Sequence, residues 1–515
     1  MGPTLRGGES AVSDRLVSSA NDGNNPAPVQ LRAGVPDALL TVPTATSTPA
    51  SPTTAGPTTA AAAPPVRIGP VVLIVTLALG VTAMSLMQSI VVPILGAIGV
   101  QLGASPEAAG WVLTANLLAA AVFTPVLGRL GDVYGERPVM LAILAVIAGA
   151  TLLAALTSSL PLLLLARVLQ GSAYGLFPLS VSVLRRELPR ERLPVAMSVV
   201  SSTLAVGGVI GIVATGALSG SGGDYHPPFW LALAFAVAAF AAVHRFLPAR
   251  PPTATGGVDW FGALGLGVGL VLLLLPLSQA ASWGWTSVRT LGCLAAATVV
   301  LAGWVVLQRH TAQPLVRPAL LTDRRIVVPN IAGLMIGFGL FTSFLAVTTF
   351  VEVDPARAGY GFGASTWEAA VVFLLPGGIV GIALSPLAGQ VVARFGALWV
   401  MLAGGVSALA GFALFTLARD EVWQVVLFGV LLQLAVVVAF AALPALVVDA
   451  VEPGETGVAN AVNSICRSVG IALASAVIVT VVAGSYDPAT GAPTALAFTV
   501  VGVLGVASSV VVVVV

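Results

Sequence analysis

Fourteen runs of mostly apolar residues, each long enough to cross a bilayer, leave this chain almost no soluble fold to adopt. They fall near 71–98, 107–127, 139–157, 160–182, 196–219, 229–247, 259–279, 289–308, 327–350, 367–388, 398–417, 423–447, 457–483 and 494–515. A helix needs about 20 apolar residues to span the hydrocarbon core, where every backbone amide must be bonded internally. The runs therefore predict an all-α membrane protein in which short links carry the polar residues. Only 8% of the 515 residues are charged, against about 25% in a soluble domain. A net charge of +1 gives no reason to expect a nucleic-acid partner. Cys293 and Cys466 lie inside apolar runs and the three histidines are scattered, so neither a disulfide framework nor a metal site is expected. The reading carries no cofactor, and no nucleophile–base pair or phosphate loop points to an enzyme.

Arginine placement orients the spans, because positive charge gathers in cytoplasmic loops. With a cytoplasmic N-terminus, the inward links hold thirteen arginines and the outward links only Arg289, Arg357 and Arg419. An even number of spans then returns the C-terminus to the cytoplasm of a multi-pass cell-membrane protein. Trp283 and Trp285 fall in an outward link, where interfacial tryptophans are at home. Residues 1–68 are rich in Pro, Thr, Ala, Ser and Gly without apolar periodicity, which predicts a disordered cytoplasmic tail. The chain closes on Ser508, Ser509 and six valines with no basic anchor after them, a pattern expected of an incomplete end.

An internal repeat organises the spans. Ser105-Pro106-Glu107-Ala108-Ala109 recurs 261 positions later as Thr366-Trp367-Glu368-Ala369-Ala370. At the same offset Pro125, Gly128 and Gly135 recur as Pro386, Gly389 and Gly396. These matches make the second and tenth spans equivalent. Eight spans separate them, so both copies point the same way through the membrane. Parallel repeats of this kind build secondary transporters with a substrate site between the halves. The expected domains are 69–248 and 326–515, each a six-helix bundle, with an inserted helix pair and linker at 249–325. Ser105 and Thr366 read as helix N-caps, so Glu107 and Glu368 read as carboxylates that complement the helix dipole.

Three motifs stand in register with this map. Gly128-x-Leu130-Gly131-Asp132-x-x-Gly135-x-Arg137 lies between the second and third spans. Leu164-Leu165-Ala166-Arg167-Val168-Leu169-Gln170-Gly171 lies in the fourth, and Trp111-Val112-Leu113-Thr114-Ala115-Asn116 in the second. Together they resemble the signatures of the major facilitator superfamily, in particular its fourteen-span drug:proton antiporter branch. The resemblance covers about residues 70 to 510. It implies the major-facilitator fold, two parallel-repeat bundles plus two extra central helices, and multidrug or antibiotic efflux by a proton-driven antiporter. It also makes Gly128, Arg129, Gly131, Asp132, Gly135 and Arg137 a cytoplasmic gate. The glycines allow a tight turn and close helix approach. Asp132 suits the exposed amides of a helix N-terminus, and Arg129 and Arg137 suit acids of the facing half. The alternative reading is a solvated positive-inside turn.

Arg167 lies within a span, where a charge costs about 2.5–3.5 kcal/mol even on permissive scales, so it should face the bundle interior. Arg467 is its counterpart in the second half, with substrate contact and backbone packing both open as roles. With Gln88, Asn116, Gln170, Tyr174, Gln433 and Asn463 they form the expected translocation pathway. The departures from the family pattern are in the first, second and fifth spans; in the second, Asn116 stands where the branch usually has a tyrosine. Where the branch usually carries an aspartate, this chain has Met87. The fifth-span antiporter motif survives only as glycines between Gly207 and Gly216. A coupling proton needs a carboxylate shifted by the membrane interior, and none sits mid-span. The expected substrate is therefore a neutral or anionic amphiphile, carried by a monomer in the lipid bilayer, with protons as the usual coupling ion. The alternatives are an uncoupled or differently coupled metabolite carrier, and a non-transporting sensor or scaffold on the same fold.

Overall fold

A computed structural model describes residues 69–218, 224–252, 256–487 and 490–515; the tail at 1–68 lies outside the described residues. The chain is helical almost throughout. The first run is divided by Ile90 into α1 (Pro70–Ser89) and α2 (Val91–Gln101). Next come α3 (Pro106–Tyr134), α4 (Glu136–Leu156) and α5 (Leu160–Gln170). A 3₁₀ turn at Gly171–Gly175 leads into α6 (Leu176–Glu187), followed by α7 (Leu193–Leu218) and α8 (His226–Phe246). The inserted pair is α9 (Trp260–Trp283) and α10 (Val288–His310). After the short α11 (Ala319–Thr322) come α12 (Arg324–Val351), α13 (Pro355–Ala358) and α14 (Thr366–Glu368). One π-helical stretch, Ala369–Leu374, joins α14 to α15 (Leu375–Phe395). The chain then runs through α16 (Ala397–Leu417), α17 (Val422–Ala450), α18 (Thr456–Ala483) and α19 (Ala495–Val514).

Among the described residues, thirteen helices are long and apolar enough to cross a membrane, and α7, of 26 residues, occupies the place of the remaining expected span. The sequence motif at 128–137 is less of a loop than its charges suggest. Gly128 to Tyr134 are the last two turns of α3, and Gly135 alone links α3 to α4, at φ 91°. A Cβ there would also press on the Arg250 carbonyl at 3.2 Å. The second N-cap differs from the repeat-based expectation by one residue. Ser365 Oγ accepts the Glu368 amide at 3.2 Å, and the Glu368 carboxylate accepts the Ser365 amide at 2.8 Å. This reciprocal pair satisfies two helix-start donors at once. Glu368 is therefore a capping residue, and its two bonds to Ser365 hold its carboxyl below the usual range. The Glu107 side chain lies outside the described residues.

Lipid supplies no hydrophobic force between helices, so close packing depends on small residues at the contacts. In the first half, Gly207 and Gly211 of α7 meet α1: a Cβ on Gly207 would lie 2.6 Å from the Thr82 carbonyl. The glycines that survive from the fifth-span motif therefore serve helix approach. In the second half α12 and α18 interlock in the same manner. A Cβ on Gly337 would overlap the Arg467 carbonyl, and one on Gly470 the Leu334 carbonyl. Asn463 clips this pair by donating to the Pro329 carbonyl at 2.9 Å and to Asn330 Oδ1 at 3.1 Å. The inserted helix α9 packs on both α3 and α18, so it lies along the line where residues of the two repeats meet. Trp285, just past the C-terminal end of α9, donates from Nε1 to Thr480 Oγ1 at 2.8 Å.

Overpacking a close contact costs about 1–3 kcal/mol. Gly470→Leu should lower the thermal unfolding midpoint of the detergent-purified protein by several degrees. Gly303→Ala, where an added Cβ meets nothing within 4 Å, should leave it unchanged. Equal midpoints for the two variants would contradict the close-packing account.

Candidate functional site

Two neighbouring constructions carry the charges that the sequence singles out. The first is at the arginine-rich end, where α3 finishes beside the start of α18. Gly128 and Gly457 let these helices touch: a Cβ on Gly128 would lie 2.9 Å from the Gly457 carbonyl, and one on Gly457 2.9 Å from Asp132 Oδ1. Asp132 is fully buried there, and Oδ2 accepts the Val458 amide at 3.4 Å. The first amides of a helix have no internal partner and carry the positive end of the helix dipole, so a carboxylate is the natural complement. From α6, Arg185 reaches the other side of the same link. It donates to the carbonyls of Val451, at 2.8 Å, and Glu452, at 3.3 Å, and to the Thr456 hydroxyl. Those carbonyls stand just beyond the C-terminal, negative end of α17. One acid and one base of the first half thus grip two helix ends of opposite polarity in the second.

The other charges of the motif are arranged differently from the expected cross-half pairing. Arg137 donates to the His244 carbonyl at 2.7 Å, capping the end of α8 within its own half. The reason is the turn at Gly135, which starts α4 on the α8 side. Arg129 borders a cavity with Gln313, Arg317 and Glu455, and its buried Nε has no partner among the described residues. Arg317 pairs with Glu455, and that hydrogen bond holds its guanidinium above the ordinary arginine range. At Gly131 an added Cβ would displace the end of the Leu179 side chain, within the first half. Glu136 pairs with Arg186 at 2.8 Å and Glu187 with Arg250 at 2.7 Å, tying the first half to itself.

A second seam is the repeat counterpart of the first. Gly389, equivalent to Gly128, packs on α7, where an added Cβ would meet the Pro194 carbonyl at 2.8 Å. Ser385 Oγ donates to the Ser198 carbonyl at 2.8 Å, and Ser198 Oγ to the Ser385 carbonyl. No carboxylate stands at the equivalent of Asp132, which is Ala393.

The second construction lies within the spans. Arg167, 1% exposed, donates from Nε to the Val112 carbonyl and from Nη1 to the Met87 carbonyl, both at 3.0 Å. Nη1 also reaches Gln170 Oε1 at 2.7 Å, and Gln170 Nε2 donates to Thr151 Oγ1 at 3.0 Å. Asn116 Nδ2 donates to the Arg167 carbonyl at 2.9 Å. Met87 is in the last turn of α1, so the guanidinium caps that helix just before its break at Ile90. All these acceptors are neutral.

Arg467 has fewer partners. Nη2 donates to Ser464 Oγ at 3.3 Å, and the guanidinium lies over the ring of Phe440 at 4.9 Å and of Phe177 at 5.7 Å. The two rings meet edge to face with centroids 6.5 Å apart. Phe177 belongs to α6 and Phe440 to α17, so this arginine sits where the repeats meet. Tyr174, on the 3₁₀ turn, lies within electrostatic reach of both guanidiniums, and its buried hydroxyl has no partner among the described residues. Of the pathway residues expected from sequence, Asn116, Arg167, Gln170, Tyr174 and Arg467 gather here. Gln433 lies apart, against Gly381, with a buried amide nitrogen lacking a partner among the described residues. Asn463 joins α12 to α18, and Gln88 is half-buried beside Met87. Phe177, Phe440 and Arg185 escaped the sequence reading: an aromatic in an apolar run carries no signal, and Arg185 looked like one more inward cation.

Comparison with known proteins agrees with this architecture. The chain is 29% identical over 377 residues to an uncharacterized MFS-type transporter of Mycobacterium tuberculosis, an alignment covering 71% of this chain and 62% of that one. It is 28% identical over 329 residues to the tetracenomycin C resistance and export protein of Streptomyces glaucescens, covering 63% and 59%. The matched part is thus about six-tenths of the length of these relatives. The human organic anion transporter MFSD10 superposes with a TM-score of 0.59 at 18% identity, over 86% of this chain and 98% of that one. The Major Facilitator Superfamily profile matches residues 77–475 and again 336–515. By that match, and by its repeated helical halves, the chain belongs to the Major Facilitator Superfamily.

Proposed function

We propose that this transporter exports small amphiphilic compounds by alternating access, with 69–248 and 326–515 rocking about the interior arginines. The observation that carries the reading is the latch at the arginine-rich end. Asp132 and Arg185 bind helix ends of the other half through hydrogen bonds that water can replace when the halves part. Gly128 belongs to this gate because α3 and α18 cannot approach without it; Gly131 and Gly135 shape the end of α3 beside it, and Arg129 and Arg137 flank it. The positive-inside bias supports a cytoplasmic position for the latch and the termini. Export is supported by the relatives named for resistance and export. The residues favour a carrier without proton antiport over the usual scheme of the branch. Every Asp and Glu from 69 to 515 lies at a helix end or in a link, and Met87 stands where the branch carries its aspartate.

A bulky side chain at Gly457 would collide with Asp132 and the Gly128 carbonyl. At about 1–3 kcal/mol, Gly457→Val should shift the balance of states about 5- to 150-fold away from closure at this end. Hydrogen exchange should show the start of α18 losing protection in that variant and keeping it in Gly303→Ala. Unchanged exchange would contradict the latch. In an exporter-deficient bacterium, the wild-type chain should raise tolerance to some members of a panel of amphiphilic antimicrobials, and Gly457→Val should abolish the gain. Tolerance and uptake equal to the empty vector across the panel would contradict export.

A further inference from the structure

We propose that the compound carried is an aromatic organic anion, its charged oxygens meeting Arg467 and Tyr174 and its ring lying on Phe177 and Phe440, and that it leaves down the membrane potential with no coupled proton. The inference rests on the transport reading above and adds a substrate class and a driving force to it.

Charge is the first argument. Two guanidiniums lie within the spans, and among the described residues neither has a carboxylate partner. Arg167 is better provided for: the Val112 and Met87 carbonyls and Gln170 take three of its five N–H donors, which fixes its charge in place. Arg467 is not. A guanidinium offers five N–H donors, and here one hydroxyl and two π faces attend it. The Tyr174 hydroxyl, within electrostatic reach of it, is a buried donor with no partner among the described residues. A half-buried charge with few partners and an unused donor are costly by themselves, and an anionic ligand would satisfy both. A cation placed here would meet two positive charges and no negative one.

Shape is the second argument. Arg467 touches α6 of one half and α17 of the other through Phe177 and Phe440. A ligand that binds the guanidinium must displace or join these rings. An aromatic ligand replaces one ring contact with another, whereas a small inorganic anion would strand both rings. Offset or edge-on ring pairs contribute beyond the area they bury, which favours an aryl carboxylate, sulfonate or phenolate over an aliphatic acid.

The driving force follows from the charge. Over a complete cycle the protein's own charges return to their starting positions, so the net charge moved is that of the substrate. A monoanion gains about 2.3 kcal/mol per 100 mV on leaving a cell that is negative inside. At about 1.4 kcal/mol per tenfold ratio, that is roughly a 50-fold concentration difference. A carrier of anions is then an exporter whichever way it is inserted. Neither Met87 nor the missing antiporter motif is a defect in such a machine.

The test uses the full chain in proteoliposomes with two aromatic probes of fixed charge, naphthalene-1-sulfonate and N-methylquinolinium. Potassium and valinomycin set the potential, and pH is varied independently. The expected result is accumulation of the sulfonate on the positive side, approaching roughly 50-fold at 100 mV, unaffected by a pH gradient at zero potential. Equilibrium dialysis in detergent should show sulfonate binding at least tenfold weaker in Arg467→Gln and weaker in Phe440→Leu. Arg309→Gln should bind as wild type. The milder Phe440→Leu keeps the test open if Arg467→Gln does not fold. Flux of the quinolinium instead, or sulfonate flux that follows the pH gradient, would overturn this proposal and leave the transport reading standing. Sulfonate binding at Arg467 without flux of either probe would overturn the transport reading. Neither binding nor flux of the sulfonate would overturn the anion proposal outright.

Discussion

A guanidinium set against the open carbonyls at a helix C-terminus is the interaction on which this molecule depends. The chain is poor in acids, and from 69 to 515 they lie at helix ends or in links, so few of its arginines meet a carboxylate. Four find helix ends instead, one fully buried and three half-buried. Arg167 caps α1 at Met87, Arg137 caps α8 at His244, and Arg185 caps α17 at Val451. Arg419 caps α16 at the Phe415 and Thr416 carbonyls. The last carbonyls of a helix lack internal partners and carry its negative pole, each such contact being worth up to about 2 kcal/mol when partly buried. Bonding of this kind suits a membrane interior because it neutralises charge and satisfies backbone acceptors at once. Arg467 is the exception, and its exceptional position is what makes it a candidate for binding.

The repeat explains why the latch has one strong and one weak side. Gly128 and Gly389 occupy equivalent positions, and each brings its helix against a partner across the seam, α18 in one case and α7 in the other. At the first seam Asp132 adds a charge–dipole contact. At the second, Ala393 leaves two serines exchanging hydroxyl–carbonyl bonds. The seam with α18 also carries Arg185 and the inserted helix α9, so closure on that side joins the linker at Arg317–Glu455 to the latch itself. Rocking would thus break a polarised contact on one side and neutral ones on the other.

Much of this was legible in the residues. The apolar runs gave the spans, because hydrocarbon allows no unpaired backbone. The repeat offset pairs α3 with α15, and Asp132, expected at a helix start, accepts the Val458 amide near the start of α18. The helical nature of 128–134 was hidden because glycines and charges read as a turn, while in a packed seam they read as close approach. The break at Ile90 went unread because the apolar run continues straight through Pro93, which has no amide to bond the Ser89 carbonyl; the arginine that caps α1 there comes from a distant helix. Phe177 and Phe440 could not have been chosen from their runs, because their role depends on the face that Arg467 presents across the seam.

The central claim is that the halves are held shut at this end by helix-end contacts and part when those contacts are released. Tyr134 and Phe395, repeat equivalents at the exposed ends of α3 and α15, are suited to spin labels once Cys293 and Cys466 are replaced. The measurement is the distance between the labels in proteoliposomes, by pulsed electron resonance, for the wild-type chain and for Arg185→Gln. The account predicts a short and a long population in the wild type, with the variant displaced toward the long one. A single distance, identical in both proteins, would contradict it.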